Sequence, residues 1–274
     1  DISYSRARFK VVAAGRRFGK SFLSMSLMAK VARYPHSQVW YVTTTYSAAK
    51  NIMWSYLKEK LKKIGWAKSF HEVALQANLI NGSVISLKGA NNPDSLRGIG
   101  LDYLVLDEAA YLDERVWTEV LRPTLSDKQG GALFISSPSG RNWFYDLWID
   151  GQDEEEEDWQ SWQFTTLEGG NVPPEEVDSA RRSLDTRTFE QEYEARFVTY
   201  TGLVYYGFDY EESVVNREYD EGEPVLIGMD FNIDPMTATV FQMDENDGTL
   251  FLVDEIEIFG SNTDELAEEI LCRY

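Results

Sequence analysis

The segment Ala14-Gly15-Arg16-Arg17-Phe18-Gly19-Lys20-Ser21 places two glycines, a lysine and a hydroxyl in the order that cradles a chain of phosphates. Glycines let the backbone close around an anion so that N–H groups point inward, and a helix opening at the lysine adds its positive end. Gly15, Arg16, Arg17, Gly19, Lys20 and Ser21 are therefore nucleotide-contact candidates, with Lys20 on the β and γ oxygens and the Ser21 hydroxyl on Mg²⁺. Ala14 stands where such loops usually carry their first glycine. A second constellation is Asp107-Glu108, which follows the apolar run Leu104-Val105-Leu106. A strand ending in two carboxylates presents both at the edge of a sheet. Asp107 would hold the magnesium through water, and Glu108 would orient and deprotonate the attacking water. Gly-Lys-Ser at a helix start, or an acidic pair after a strand, is ordinary by itself. In this order, and with a strand before the loop and a helix after it, the two predict ATP hydrolysis.

Three weaker features follow. Ser136-Ser137-Pro138-Ser139-Gly140 ends the next apolar run, so its hydroxyls could sense the γ-phosphate; the bland alternative is a simple turn. Arg97, in Ser95-Leu96-Arg97-Gly98, lies on the connection into the Asp107 strand, and a surface arginine is ordinarily a solubility residue. Arginines matter here because charge on the transferring phosphate must be stabilised. Asp230 closes Val225-Leu226-Ile227-Gly228-Met229, an apolar strand with a carboxylate at its end, and would need partner carboxylates to act as a two-metal nuclease ligand. Asp254 and Glu255 end another strand without an obvious place in that role.

The elements that must position these residues are legible as alternating patterns. Phe9–Ala13, Gln38–Thr43, Tyr103–Leu106 and Ala132–Ser136 read as buried strands, and Ser21–Arg33 and Ala48–Ile64 as helices. Val73–Ile80 and Val84–Leu87, joined by Asn81-Gly82, give a hairpin signal. Such alternation predicts a mainly parallel sheet with helices on both faces. The run Asp153–Asp158 is too charged to pack and is expected as an exposed loop. Pro173–Phe197 reads as two polar helices broken near Asp185-Thr186; Val225–Phe231, Ala238–Met243 and Leu250–Ile256 read as strands, with a turn at Asp247-Gly248, before a helix from Thr263. The expected division is an ATPase core over 1–170, a helical lid or linker over 171–222, and the first part of another domain over 223–274.

The 274 residues carry a formal net charge of −20, unevenly spread. Residues 1–68 hold 14 Lys/Arg against 2 Asp/Glu, and the remainder 12 against 44. Part of the early positive charge serves phosphate; Lys58, Lys60, Lys62 and Lys63 on a helix can as well be a solvated face, so net charge neither establishes nor excludes a polyanion partner. Cys272 is the only cysteine, which excludes an intrachain disulfide and a cysteine-based zinc cluster. No leader and no membrane-length apolar stretch is evident, so a protein of a reducing cytoplasm is expected.

Together these stretches resemble the large terminase subunit of tailed bacteriophages, an ATP-driven motor and nuclease that packages DNA. The likeness rests on residues 14–21, on Lys88-Gly89-Ala90-Asn91-Asn92-Pro93-Asp94-Ser95-Leu96-Arg97-Gly98, on Leu104–Tyr111 and on Ile135–Tyr145. Phe189-Glu190-Gln191-Glu192-Tyr193 and Gly228-Met229-Asp230-Phe231-Asn232 extend it to nearly the whole chain. The resemblance implies an ASCE-type P-loop ATPase followed by the start of an RNase H-like nuclease. It implies that Lys20 and Ser21 bind nucleotide and metal, that Asp107 helps to hold magnesium, and that Glu108 is the catalytic base. Arg16 would sense the γ-phosphate, Arg97 would reach a neighbouring subunit's ATP, and Ser136, Ser137 and Pro138 would couple hydrolysis to DNA movement. Asp230 would be the first ligand of two divalent metals, Mg²⁺ or Mn²⁺. The remaining nuclease carboxylates lie further along in the family, so this chain is expected to hydrolyse ATP weakly and not to cut DNA. Implied partners are double-stranded DNA, the portal protein and the small terminase subunit, with a homo-oligomeric ring on the portal and a monomer in isolation. The implied place is the cytoplasm of an infected bacterium, outside the mature virion, with no membrane contact. A helicase on the same core would show strand separation, and a nucleotide-dependent docking switch would show turnover indifferent to Glu108→Ala.

Overall fold

Six strands run parallel, five of them from the apolar runs of the sequence, and their carboxyl ends share one edge, which is what brings the chemical residues together. They are β1 (Phe9–Ala14), β2 (Gln38–Thr43), β5 (Val84–Gly89), β6 (Tyr103–Asp107), β7 (Gly131–Ser136) and β8 (Trp159–Phe164). Antiparallel β3 (Ala67–His71) and β4 (Gln76–Leu79) complete an eight-stranded sheet in the order β3-β4-β5-β2-β6-β7-β1-β8. The strand before the phosphate loop and the strand bearing Asp107 are thus separated by β7 alone, with Ala13 opposite Ser136 and Asp107 opposite Ile135. This computed structural model describes residues 2–153, 155–198, 214, 215, 217, 219–230, 235–244 and 248–274.

Both faces of the sheet are covered, as an all-apolar strand requires. On one face α1 (Lys20–Ala32), α2 (Tyr46–Ala49), α3 (Ser55–Lys63) and the turn of Lys50–Trp54 between the last two bury Met28, Met53, Trp54 and Leu57 against Val12, Tyr41, Val105 and Ile135. On the other, Val116, Trp117, Val120 and Leu121, the short α4 (Arg122–Thr124), and Phe144 of α5 (Trp143–Asp150) pack on Phe9, Val11, Leu104 and Phe134. Phe134 is the hub there, with Trp117 edge-on at 4.7 Å and Trp159 stacked at 5.7 Å.

Several boundaries differ from the sequence reading for physical reasons. The expected helix over 48–64 begins at Tyr46, capped by the Thr45 hydroxyl, and loosens into a π turn over Lys50–Trp54. Strand β4 starts at Gln76, not Val73, because residues 72–75 turn back to pair with β3 and Leu75 takes a left-handed φ of 47°. β3 and β8 gave no clear signal: both are edge strands, and neither Ala-Lys-Ser-Phe-His nor Trp-Gln-Ser-Trp-Gln-Phe alternates cleanly. The acidic run is exposed where it is described. Beyond it come α6 (Pro174–Ser183) and α7 (Thr186–Glu192), the latter capped by Asp185, so the helical stretch stops short of Phe197.

Contacts group the chain into two compact units, Asp1–Thr201 and Gly202–Tyr274. The second holds an antiparallel sheet of β9 (Val225–Asp230), β10 (Met236–Met243) and β11 (Leu250–Ile258), with β10 central, and α8 (Thr263–Arg273). Met236, Ala238, Val240, Ile256, Leu266 and Ile270 form its core. Of the expected Asp247-Gly248 turn, Asp247 lies outside the described residues, as does Phe231 of the expected first strand; Gly248 has a φ of 74°.

Candidate active site

The phosphate loop joins β1 to α1. Gly19 caps the helix with a φ of 117°, a conformation that side chains resist, and Arg17 is also left-handed at 62°. The loop is braced from behind by segments distant in sequence. Gly15 N–H donates to the Phe164 carbonyl, Arg16 N–H to the Glu192 carbonyl, and the Thr166 hydroxyl to the Arg16 carbonyl. Asn171 Nδ2 donates to the carbonyls of Arg17 and Phe18, and the Phe18 ring stacks on Phe164 at 4.7 Å. Lys20 Nζ folds over the loop onto the carbonyls of Ala14 and Gly15, at 2.7 and 3.2 Å. Arg16 is paired with Glu192 at 2.6 Å, which raises its pKa.

Across the sheet edge, Asp107 is 3% exposed. One carboxylate oxygen accepts the Tyr41 hydroxyl and the other the Glu108 N–H at 2.9 Å. Burial pushes the Asp107 carboxyl up from its ordinary value, against the bonds from Tyr41 and Glu108 and the charge of Lys20. Glu108 takes a left-handed φ of 55°, so the chain turns as it leaves β6. Its carboxyl is also raised, first by burial and then by the neighbouring Asp107 charge. Lys20 is lowered by burial, while Glu108 and Asp107 oppose that shift. A cleft of ≈ 410 Å³ lined by Arg16, Arg17, Lys20, Thr44, Glu108, Tyr111 and Ser137 collects these groups, and Ser21 lines a recess beside it with Gly19 and Asn171.

The donor set fits a hydrated magnesium ion. Hard oxygen ligands suit it: the Ser21 hydroxyl at the start of α1 and the Asp107 carboxylate. Thr43, beside Asp107 at the end of β2, adds a fully buried hydroxyl with no hydrogen-bond partner. The structure thus brings together Gly15, Arg16, Arg17, Gly19, Lys20, Ser21, Asp107 and Glu108. Ser136 and Ser137, both buried at the end of β7, lie at the same sheet edge, and Ser137 bonds the Tyr111 side chain. Pro138 is buried next to them. From there Asn142 and Trp143 tie α5 to the carbonyls of Ala110 and Leu112, in the turn after Glu108.

Arg97 is elsewhere. It donates to Asp94 and to the Glu119 carbonyl, each at 3.1 Å, and lines a cleft with Gly98, Ile99, Gly100 and Pro123 that shares no residue with the first. Asp230 ends β9 exposed, in register with Thr237 and, one strand further, Glu257. Among the described residues no group of three or more acidic, histidine or cysteine side chains could hold a metal there, and Asp254 is bonded by Arg273 and Tyr274. Sequence reasoning missed Tyr41, Thr43, Thr166, Asn171 and the contact role of Glu192. Their signal is only spatial, because each comes from a different part of the chain than the motif it serves.

Residues 11–212 match the protein family described as terminase large subunit, T4likevirus-type, N-terminal. The chain belongs to the terminase large-subunit family. It is 31% identical over 263 residues to the terminase large subunit of Escherichia phage T5, covering 92% of this chain and 60% of that protein. The terminase large subunit of Thermus virus P23-45 is 30% identical over 287 residues, covering 89% of this chain and 59% of that protein. The chain therefore spans about 60% of the length of these relatives. The large terminase ATPase domain of Thermus phage P74-26 superposes with a TM-score of 0.63 at 30% identity, covering 72% of this chain and 91% of that one. The large terminase of a thermophilic bacteriophage, solved in complex with ADP, shares the fold over 97% of this chain and 68% of its own, at TM-score 0.63 and 20% identity. This terminase chain accordingly has the mixed α/β, mainly parallel architecture expected of it.

Proposed function

We propose that the chain is the ATP-hydrolysing part of a phage DNA-packaging motor. The observation that carries this is the meeting of Lys20 and Glu108 on one cleft, with the buried Asp107 close enough to act on the Lys20 charge, in a member of the terminase family. In this reading the loop N–H groups and Lys20 hold the β and γ phosphates, Arg16 and Arg17 flank the γ-phosphate, and Glu108 takes a proton from the attacking water. The water oxygen bonds to the γ-phosphorus as the bond to the bridging oxygen breaks, and ADP leaves. Magnesium, when bound by Ser21 and Asp107, supplies neutralising charge to the phosphate oxygens. The raised Glu108 carboxyl is suited to a base that must also give up its proton afterwards. Ser136, Ser137 and Pro138 pass the change at the γ-phosphate to α5 through the Asn142 and Trp143 contacts.

In the intact protein the motor translocates double-stranded DNA into a procapsid, as a ring on the portal fed by the small subunit, in the cytoplasm of the infected host. Asp230 starts a two-metal nuclease, holding Mg²⁺ or Mn²⁺ with carboxylates from outside the described residues. Among the described residues no helix is long and apolar enough to cross a membrane. The test is phosphate release with and without portal-bearing procapsids and DNA. Stimulation by both is expected, and Glu108→Gln should cut turnover about 10²–10⁴-fold while ATP still binds. Wild-type turnover in Glu108→Gln would overturn the assignment.

A further inference from the structure

Tyr41 lies in the middle of β2, a strand to which the motifs assign no chemistry. Its ring is fully buried among Val12, Met28, Val39 and Val105, so packing fixes where its hydroxyl stands. That hydroxyl donates to one oxygen of Asp107, whose other oxygen accepts the Glu108 N–H. The terminal torsion of an aspartate is broad, so the plane of a carboxylate is set by its hydrogen bonds rather than by its own rotamer. Here one bond comes from a rigid core residue and the other reaches the first peptide of the left-handed turn that carries Glu108. A rigid donor, a carboxylate and a turn are thus linked in series from the core of the sheet to the cleft.

We propose that Tyr41 is a positioning residue of the ATPase site. It holds the Asp107 carboxylate in the orientation that meets the hydrated metal and, through Asp107, holds the turn that aims Glu108 at the water. The inference rests on the reading of this cleft as the ATPase site. A buried tyrosine also needs a partner simply to satisfy its hydroxyl. A merely structural bond would affect stability alone, whereas a positioning bond must affect what the metal and Glu108 do. Orienting partners of metal ligands typically matter by about 10- to 100-fold in metal affinity or activity.

The test is Tyr41→Phe in the chain as it stands, read four ways. Binding of a fluorescent ATP analogue in EDTA should match wild type. The gain in that binding on adding Mg²⁺ should shrink, and the Mg²⁺ concentration for half-maximal turnover should rise, by about tenfold or more. The kcat should fall by a similar factor even at saturating ATP and Mg²⁺. A lower Tm with unaltered kcat and Mg²⁺ dependence would show that Tyr41 only fills the core. Should the variant fail to fold, 3-fluorotyrosine placed at position 41 keeps the hydroxyl and reports by ¹⁹F resonance. Its signal should move with Mg²⁺–ADP and not with ADP in EDTA; no movement in either would overturn the proposal. Glu108→Gln run in parallel separates the two levels. If it is inactive while Tyr41→Phe behaves as wild type, the site stands and the role of Tyr41 falls; if it turns over normally, the site itself is misread.

Discussion

A β-carbon on Gly15 would lie 2.5 Å from the Thr166 hydroxyl, 2.6 Å from the Tyr193 carbonyl oxygen and 2.8 Å from the Thr166 nitrogen. Two of those three atoms are backbone, so they cannot swing aside. The glycine is there for room, because the end of α7 and the residues after β8 form the back wall of the loop. Gly15→Ala should therefore cost about 1–3 kcal/mol as overpacking, a Tm loss of several degrees, and should weaken nucleotide binding by shifting the loop. Thermal unfolding and binding of a fluorescent ATP analogue check both, and a variant with wild-type Tm and affinity would show that the wall yields. The loop residues themselves were legible because phosphate cradling needs particular residue types at fixed spacing. The wall was not. Thr166, Asn171 and Glu192 lie about 150 or more positions away, and no local pattern says that they return to the loop.

At the scale of elements, buried parallel strands read well because an apolar run between turn residues has few other uses. Edge strands β3 and β8 read poorly because half of each faces solvent, and only pairing reveals them. The second unit offers an element-scale test of its own. Helix α8 is tied to β11 by Asp254, which accepts the Tyr274 hydroxyl at 2.6 Å and Arg273 at 3.1 Å. The Tyr274 bond above all, against burial and with help from Arg273, holds the Asp254 carboxyl below its ordinary value of 3.8. A carboxylate whose folded pKa is depressed stabilises the fold fully above its unfolded pKa, and loses that contribution as pH falls through the folded value. The protection of the α8 amides, taken as exchange relative to the intrinsic rate at each pH, should thus fall on acidification, and Asp254→Asn should be weakly protected already at neutral pH. The gap between the two should close in acid. Equal protection of α8 in both proteins at neutral pH would show that Leu266 and Ile270 alone hold the helix.

At the scale of the whole molecule, the described residues form the cleft proposed for nucleotide and, on the connection between β5 and β6, place an arginine that does not line it. Arg97 is held by Asp94 and the Glu119 carbonyl in a separate cleft, 51% exposed at its side chain. Held there, away from the cleft of its own chain, Arg97 would serve the reaction by meeting another subunit's phosphates, which is the ring geometry proposed above. That argument makes a prediction that no single-chain role shares. In portal-bound motors, Arg97→Ala should lower turnover about 10³-fold or more, the usual scale for an arginine supplied to a phosphoryl-transfer site, and Glu108→Gln should be inactive. Mixed in one ring, the two should regain turnover, because a subunit with intact Glu108 can then sit beside one with intact Arg97. Monomers of Arg97→Ala should keep the slow basal rate of the wild type, since no neighbour contributes in either. Mixtures with no more activity than the sum of the separate variants would place Arg97 outside the reaction, and would leave its contacts with Asp94 and Glu119 as the whole of its purpose.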